Sequence, residues 1–333
     1  MKVLGIETSC DDSAVGIIDG GRVLANIVHT QQVHSKWGGV IPELASRDHV
    51  RTIIPVIREA LEIAGLTLSD IEGISACRGP GLLGSLLVGL SVGKSLAYGL
   101  GIPFVGVHHL EGHLLAAQIG AHIEPPYLAL IVSGGHSHIY EVPEPGKYVL
   151  IGKTRDDAAG EAFDKGAKLM NLPYPGGPSV QRASEGGDTA AFDFPRAMQR
   201  EGETDMSFSG LKTALLLEVE KLGEEKTREL IADISASYQE AIVDALLWKL
   251  ATAADLTGHH KIAVVGGVSA NRRFREKLNE TAAETCWELA LPPIQFCTDN
   301  GIMIAAAGEF RLSRGERAEP DITAVSRWPL ENL

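Results

Sequence analysis

The sequence has few aromatic residues and no excess of positive charge. Aromatic residues make up 5% of the chain, and 30 lysines and arginines stand against 43 aspartates and glutamates, a formal net charge of −13. Non-specific binding to nucleic acid needs a positive field, and a single-strand platform needs aromatic rings. These deficits argue against a broad nucleic-acid binder, so any nucleic acid must bind at a local site or with a helper subunit.

The four cysteines lack the spacing of a disulfide framework or a zinc knuckle. Cys10, Cys77, Cys286 and Cys297 lie far apart and form no C-x-x-C pair. The first residues turn acidic by Glu7 and contain no apolar core of a signal peptide. We therefore expect reduced thiols and a cytoplasmic protein.

One long apolar stretch has the length and composition of a membrane-spanning helix. Residues 81–100 contain Lys94 as their one charged side chain. Recurrent glycine and serine in this stretch are typical of a helix that packs closely on a sheet. We predict a buried helix and no membrane contact.

The chain is long enough for two domains, each built from strands that alternate with helices. It has 333 residues, of which 44% are hydrophobic. Apolar runs separated by turns predict strands at 2–7, 14–18, 22–28, 71–76 and 103–107, with helices at 47–64 and 81–100. The fold class is therefore α/β with mixed sheets flanked by helices.

The second half repeats the plan of the first, which indicates an internal duplication. Strands are predicted at 127–133, 137–142, 148–151 and 261–265, followed by helices at 272–284 and 302–312. We predict an N-terminal lobe over 1–124 and a C-terminal lobe over 125–333. The latter carries an inserted segment at 171–215, interpreted as a functional lid, and a terminal helix able to pack back on the first lobe.

Two histidines four residues apart are candidate metal ligands. His109 and His113 follow a predicted strand, and on a helix their rings share a face. Hydrogen-bonded histidines at a helix start are the alternative. Asp299 is the candidate third ligand, although it can instead be the N-cap of the helix at 302–312. Two imidazoles and one carboxylate leave coordination positions open, as a catalytic iron(II) or zinc site requires.

Two glycine-rich turns are candidate phosphate cradles. They lie at 133–135 and 266–268, each directly after a predicted strand, where backbone N–H groups can approach an anion. Neither turn matches a P-loop or a Rossmann fingerprint. Paired turns at equivalent positions of two halves are the arrangement by which an actin-like ATPase fold holds a nucleotide.

The order and content of these motifs resemble the bacterial tRNA N6-adenosine threonylcarbamoyltransferases, the TsaD family. The similar segments cover essentially the whole chain: 5–11, 38–49, 108–113, 132–136, 163–165, 174–178, 208–213, 266–271 and 297–301. The resemblance implies two actin-like (ASKHA) lobes with a cleft between them. It also implies transfer of a threonylcarbamoyl group from threonylcarbamoyl-AMP to N6 of adenosine 37 in tRNAs that read codons beginning with A.

The same resemblance implies the site residues and the partners. His109, His113 and Asp299 match the family's ligands for one divalent metal ion per subunit, usually described as iron(II), with zinc(II) also possible. The implied adenylate site comprises Ile131, Val132, Ser133, Gly134, Gly135, Asp164, Gly177 and Asn271. Implied partners are tRNA, an actin-like paralogous subunit (TsaB-type) and a small P-loop ATPase (TsaE-type).

Several assignments stay open at this point. Asp11, Asp12 and His136 are candidates for the base that takes the N6 proton, each with a structural alternative. A metallopeptidase is disfavoured because Leu110, not glutamate, follows the first histidine. A sugar- or acetate-type kinase and a non-catalytic actin-like scaffold remain alternatives on fold grounds.

A cluster of basic residues is a candidate docking surface for tRNA. Its members follow the second glycine turn on one predicted helix: Arg272, Arg273, Arg275 and Lys277. We expect a locally positive surface there if these side chains are not neutralised by ion pairs.

Overall fold

The computed structural model describes residues 1–36, 39–119 and 123–333. Gly38, which belongs to one of the motifs above, lies outside these residues. The chain forms two compact units, Met1–Gly120 with Asp299–Leu333, and Ala121–Thr298. The four cysteines carry free thiols, as their spacing predicts.

The first unit is built on a mixed five-stranded sheet. Its strands are β1 (Lys2–Glu7), β2 (Asp12–Asp19), β3 (Arg22–Thr30), β4 (Gly73–Gly79) and β5 (Phe104–His108). Their order in the sheet is β3-β2-β1-β4-β5. β1 pairs antiparallel with β2 and parallel with β4, so the predicted meander leads into a parallel portion.

The helices that flank this sheet in the described part of the chain are α1 (Pro42–Ala64), α2 (Leu83–Leu100), α3 (His109–Ala116) and α9 (Gly301–Ser313). Among the described residues, α2 alone is long and apolar enough to cross a membrane by length and composition. It packs instead against the sheet: Ser85 is fully buried, and its backbone oxygen accepts a hydrogen bond from Thr8 Oγ1 at 2.9 Å. A Cβ on Gly93 would also lie 3.3 Å from Ala76 Cβ on β4, so the predicted packing on a sheet is observed. The helix is not buried throughout, however, since 33% of it is buried and Tyr98 is 91% exposed.

The second unit ends at Thr298, not at 333 as the sequence suggested. α9 packs on β1 and β2 because glycines let the backbones touch: a Cβ on Gly5 would lie 2.2 Å from Ala305 N, and one on Gly16 would lie 2.4 Å from the carbonyl carbon of Gly301. Ser75 Oγ on β4 also donates to Ile304 O at 2.8 Å. These contacts assign the terminal helix to the first unit.

The second unit repeats the sheet of the first. Its strands are β6 (Tyr127–Val132), β7 (Ser137–Glu144), β8 (Lys147–Lys153), β9 (Lys261–Val265) and β10 (Glu288–Ala290), in the order β10-β9-β6-β7-β8. β6 is antiparallel to β7 and parallel to β9, as β1 is to β2 and β4. This shared topology agrees with the predicted duplication.

Within residues 123–298, the helices around the second sheet are α4 (Ala159–Leu169), α5 (Gly176–Ala183), α6 (Ser209–Glu229), α7 (Ile231–Thr257) and α8 (Arg272–Thr285). α7 contributes much of the buried core, including Tyr238, Ile242, Leu246 and Leu250. Short 3-10 segments occur at Gln32–Lys36, Leu68–Asp70, Gly267–Ala270, Ile294–Phe296 and Leu330–Asn332.

The segment 171–215 is not loop throughout. It contains α5 and the first residues of α6, and Phe194 and Phe208 are buried in the core. Its interpretation as a lid stays a prediction.

Candidate functional site

The helix that carries His109 and His113 begins where the buried strand β5 ends. β5 runs directly into α3, and His108 caps that helix by accepting the Leu110 N–H at Nδ1, at 3.1 Å. The opposite ring nitrogen donates to Trp328 O at 2.8 Å. Burial lowers the pKa of His108 to about 3, so its ring is neutral and the two bonds fix the tautomer. The C-terminal segment thereby holds the start of α3.

The three predicted ligands lie together in the first unit. The rings of His109 and His113 are 4.9 Å apart between centroids and nearly perpendicular. Asp299 Oδ1 lies 3.1 Å from His113 Nε2 and 3.5 Å from His109 Nε2. His113 is 1% exposed and Asp299 is 24% exposed, so one side of the cluster is accessible.

Asp299 is not the cap of α9. Asn300 occupies the N-cap position, and its side chain accepts the Met303 N–H at 2.9 Å. The alternative role considered for Asp299 is therefore wrong, and its carboxylate is directed to the two histidines instead.

The donor set fits a divalent transition-metal ion. Two imidazoles and a carboxylate match the ligands of iron(II) and zinc(II) sites that keep positions open for substrate. His113 Nδ1 is buried and has no hydrogen-bond partner among the described residues. The ring nitrogen nearest Asp299 is the other one, Nε2, so the fit to a metal ion rests on the donor set and not on this unpaired atom.

The carboxylate of Glu7 contacts His109 at Nδ1, on the other side of the ring from Asp299. Glu7, at the end of β1, is fully buried, and its Oε2 lies 3.1 Å from His109 Nδ1. Burial lowers the pKa of His109, but the carboxylates of Asp299 and Glu7 outweigh burial and raise it to about 9. An ion that binds this ring must displace a proton.

Glu7 was missed as a site residue in the sequence, where it reads as the polar end of an apolar strand. Cys77 on β4 approaches Glu7 and His109, with all three ligand atoms within 4.8 Å of one another. Burial raises the pKa of the Cys77 thiol well above its ordinary value, which disfavours the thiolate form that binds metals.

Glu111 is turned away from the two histidines. Its two oxygens accept hydrogen bonds from Arg311 Nε at 2.6 Å and Nη2 at 2.9 Å. The glutamate of a metallopeptidase must reach the metal-bound water, and this one is held in a buried ion pair. The structure agrees with the spacing in disfavouring a peptidase.

Part of the predicted adenylate site lies at the ends of two neighbouring strands of the second sheet. Ile131 and Val132 end β6, and β9, which pairs parallel to β6, ends at Val265 before the second glycine turn. Ligands of α/β sheets bind beyond the carboxyl ends of such strands. A Cβ on Gly266 would lie 2.4 Å from Val132 O at the end of β6. Both glycine turns therefore lie in the second unit, and the prediction of one turn in each half is wrong.

The glycines predicted to lie against the ligand are not required by packing. A Cβ on Gly134, Gly135 or Gly177 would meet no atom within 4 Å, and none of these residues has a positive φ. By contrast, a Cβ on Gly160 would lie 2.6 Å from Ser133 O. Open space beside Gly134, Gly135 and Gly177 is what a site needs if a ligand lies against the backbone.

The polar members of the predicted adenylate site also stabilise their own elements. Ser133 Oγ accepts the His136 N–H at 3.1 Å and closes the turn, and Asp164 Oδ1 accepts the Gly176 N–H at 2.7 Å. The Asn271 amide caps α8 and donates to Gln239 at 2.7 Å. A ligand role for Asn271 must therefore coexist with a structural one.

The basic residues of α8 do not form a free positive surface. Arg273 pairs with both oxygens of Glu240 at 2.7 and 2.8 Å, and Lys277 pairs with Glu240 and Asp244. These partners come from α7, against which α8 packs. In the same way Arg272 pairs with Glu185, and Arg275 donates to the backbone oxygens of Ser269 and Pro292. The expectation of a docking surface here is not supported, because neighbouring groups neutralise or engage the four side chains.

One of the three candidate bases has an unusual setting. Asp12 Oδ1 is buried with no hydrogen-bond partner among the described residues. Burial and the nearby carboxylates of Asp299, Asp11 and Glu7 raise the pKa of Asp12 to about 7, against the opposing effect of Thr30. A carboxyl with this pKa suits proton transfer near neutral pH.

The sequence model of the TsaD family, tRNA N6-adenosine threonylcarbamoyltransferase, matches residues 22–306. The chain belongs to this family. It is 52% identical over 334 residues to the tRNA N6-adenosine threonylcarbamoyltransferase of Syntrophus aciditrophicus (strain SB), across 99% of this chain and 98% of that protein. A second threonylcarbamoyltransferase, from Anaeromyxobacter dehalogenans (strain 2CP-C), is 50% identical across 99% of both chains.

Solved structures with low identity share the fold with this threonylcarbamoyltransferase family member. HypF from T. kodakarensis aligns with a TM-score of 0.61 at 15% identity, covering 94% of this chain and 48% of HypF. Component A of the (R)-2-hydroxyglutaryl-CoA dehydratase of Acidaminococcus fermentans aligns with a TM-score of 0.56 at 13% identity, covering 94% and 98%. The predicted actin-like ATPase fold is thereby confirmed.

Proposed function

We propose that the protein transfers a threonylcarbamoyl group from threonylcarbamoyl-AMP to N6 of adenosine 37 in tRNAs that read codons beginning with A. The products are N6-threonylcarbamoyladenosine and AMP. Membership of the family, shown by identity along the whole chain, is the observation that carries this proposal.

The chemistry explains the need for an adenylate. The exocyclic amine of adenine is a poor nucleophile, so the acyl group must arrive on a good leaving group. A mixed carboxylic–phosphoric anhydride provides AMP for that purpose. Specificity for the donor then rests on holding a nucleoside phosphate in a fixed position.

The second unit supplies groups suited to that task. The backbone N–H of Gly134 can donate to a phosphate oxygen, since no side chain crowds this glycine, and the Gly135 N–H can do so in place of its long contact of 3.4 Å with Ser133 Oγ. The Ser133 N–H is already engaged, because it donates to His136 O at 2.8 Å. Asp164 provides a carboxylate for ribose hydroxyls beside its bond to Gly176. Gly177 leaves room for the nucleoside to lie against α5.

In the first unit, His109, His113 and Asp299 would hold one divalent ion, iron(II) or zinc(II). Such an ion, when bound, acts as a Lewis acid and as a template for phosphate and carbonyl oxygens. Of the candidate bases for the N6 proton, Asp12 has the most suitable pKa, about 7. Asp11 and His136 remain candidates.

The partners in this proposal are tRNA, an actin-like paralogous subunit (TsaB-type) and a P-loop ATPase (TsaE-type), all in the cytoplasm. Apolar side chains exposed on α1 and α2 support a helical partner: Val50 is 65% exposed, Leu83 50% and Leu87 44%. The two helices meet where Gly84 approaches Ser46. The ATPase rests on the family resemblance alone.

Nucleoside analysis of tRNA tests the proposal. Unmodified tRNA is incubated with the protein, its bacterial partners, ATP, threonine and the threonylcarbamoyl-AMP synthase. We expect N6-threonylcarbamoyladenosine with the wild type, none with His109→Ala or His113→Ala, and normal product with the control His259→Ala, a histidine paired with Glu141 in the second unit. Phosphoryl transfer from ATP without tRNA would favour a kinase instead, and full activity of the His113 variant would contradict the metal assignment.

A further inference from the structure

We propose that Glu7 is a positioning residue for the metal centre, which it serves by accepting the Nδ1–H of His109 and so turning the lone pair of Nε2 toward Asp299. This inference rests on the proposed metal site. It assigns to the end of β1 a role that neither the sequence motifs nor the three ligands reveal.

The position of Glu7 leaves its carboxylate little freedom. β1 lies between β2 and β4, and Glu7 is its last residue, paired with Ala14 and fully buried. Its Oε1 accepts the backbone N–H of Ser9, and its Oε2 lies 3.1 Å from His109 Nδ1. The two oxygens therefore serve two different donors.

Ser9 Oγ also lies 3.2 Å from His109 Nδ1, but a carboxylate can only accept a hydrogen bond, so the Glu7 contact places the proton on Nδ1. A neutral imidazole carries one proton, so a ring that donates from Nδ1 presents a bare Nε2. Nε2 is the nitrogen that faces Asp299, at 3.5 Å. A carboxylate behind a metal-binding histidine also makes the ring a stronger ligand, because it stabilises the positive charge that the ring gains on binding.

A second group of potential metal ligands includes both Glu7 and His109. Glu7, Cys77 and His109 also lie within 4.8 Å of one another, and an ion held by these three would use Glu7 as a ligand. All three residues are buried, whereas Asp299 is 24% exposed. A site that receives a substrate needs the accessible side, so the geometry favours the ion at Asp299 and Glu7 behind the ring.

Three substitutions separate the roles of Glu7. Glu7→Met removes both acceptors at similar length. Glu7→Gln keeps one acceptor oxygen for two donors, so either the Ser9 N–H or His109 loses its bond to this side chain, and His109 then keeps Ser9 Oγ at 3.2 Å. Glu7→Asp keeps the charge on a shorter stem. Loss of a carboxylate behind a metal ligand typically weakens metal binding about 10- to 100-fold, and we expect that loss for Met and Gln, with partial recovery for Asp.

Glu111→Gln is a matched control. Glu111 is equally buried, lies on α3 between the two histidines, and pairs with Arg311 instead of a ligand. Its substitution should lower the thermal stability of the metal-free protein at least as much as Glu7→Gln does. We expect its affinity for metal to stay close to that of the wild type, because its hydrogen bonds go to Arg311 and not to a metal ligand.

The experiment measures cobalt(II) and zinc(II) affinity of the full chain by competition with a chelator, together with the visible spectrum of the cobalt(II) form. A Glu7 variant that folds and binds as tightly as the wild type would overturn the proposal. So would a thiolate-to-cobalt band that disappears in Cys77→Ala, because Glu7 would then be a ligand. Absence of metal binding by the wild type would instead refute the metal site itself, which keeps the two failures distinct.

Discussion

Asp12→Asn should stabilise the metal-free protein at neutral and alkaline pH. The Asp12 carboxyl has one buried oxygen without a hydrogen-bond partner among the described residues, and burial together with neighbouring carboxylates raises its pKa to about 7 from an ordinary 3.8. Ionisation therefore costs more in the folded chain than in the unfolded chain. An amide cannot ionise, so it avoids that cost.

The sign and size follow from proton linkage. Below about pH 4 the carboxyl is protonated in both states and destabilises neither. As pH rises from about 4 to about 7, the unfolded chain loses the proton while the folded chain retains it, so the free energy of unfolding falls. Above about pH 7 both states are ionised and the loss is complete. A pKa difference of about three corresponds to about 4 kcal/mol, at about 1.36 kcal/mol per pH unit.

Urea unfolding of the chelator-treated wild type and Asp12→Asn at several pH values measures this effect. The advantage of the variant should be small near about pH 4, grow through about pH 6 and level off above about pH 7. An advantage that does not change with pH would refute the reasoning, because it would mean that the Asp12 carboxyl has an ordinary pKa. Asp193→Asn, at a fully exposed carboxylate, is the control for loss of a charge, because Asp11 itself contributes to the raised pKa of Asp12.

Three further predictions rest on packing and ion pairs. Gly134→Ala should weaken adenylate binding yet change stability by less than about 0.5 kcal/mol, because the new Cβ meets no protein atom within 4 Å. Gly160→Ala should instead lower the melting temperature, because the Cβ at residue 160 would lie 2.6 Å from the backbone oxygen of Ser133. Lys277→Met should lower stability by less than about 1 kcal/mol, because Glu240 keeps its two bonds to Arg273, and should leave the salt dependence of tRNA binding unchanged. Gly16→Ala should weaken metal binding in chelator competition, because its Cβ would lie 2.4 Å from the first residue of α9 and displace the helix that follows Asp299. Wild-type values for any of these variants would contradict the packing from which its prediction was derived.

Most of the strands could be predicted from the sequence. Each is an apolar run bounded by glycine or proline, and such a pattern involves only residues that are close to one another in the chain. It did not predict α7, the central helix of the second unit. Residues 234–254 are apolar or small on nearly every face, and such a helix shows little periodicity because it is buried all round. The short edge strand β10 was also missed, since three residues carry too little pattern.

For the candidate site, the spacing of His109 and His113 on one helix face followed from helical periodicity alone. The sequence also determined the fold class and the family, because motifs in order along one chain are properties of the chain itself. Tertiary structure decided the rest: that Asn300 and not Asp299 caps α9, that acidic residues of α7 neutralise the basic residues of α8, and that Glu7 lies behind His109. Each of these depends on which residues distant in sequence become neighbours in space, and a linear pattern contains no distance between such residues.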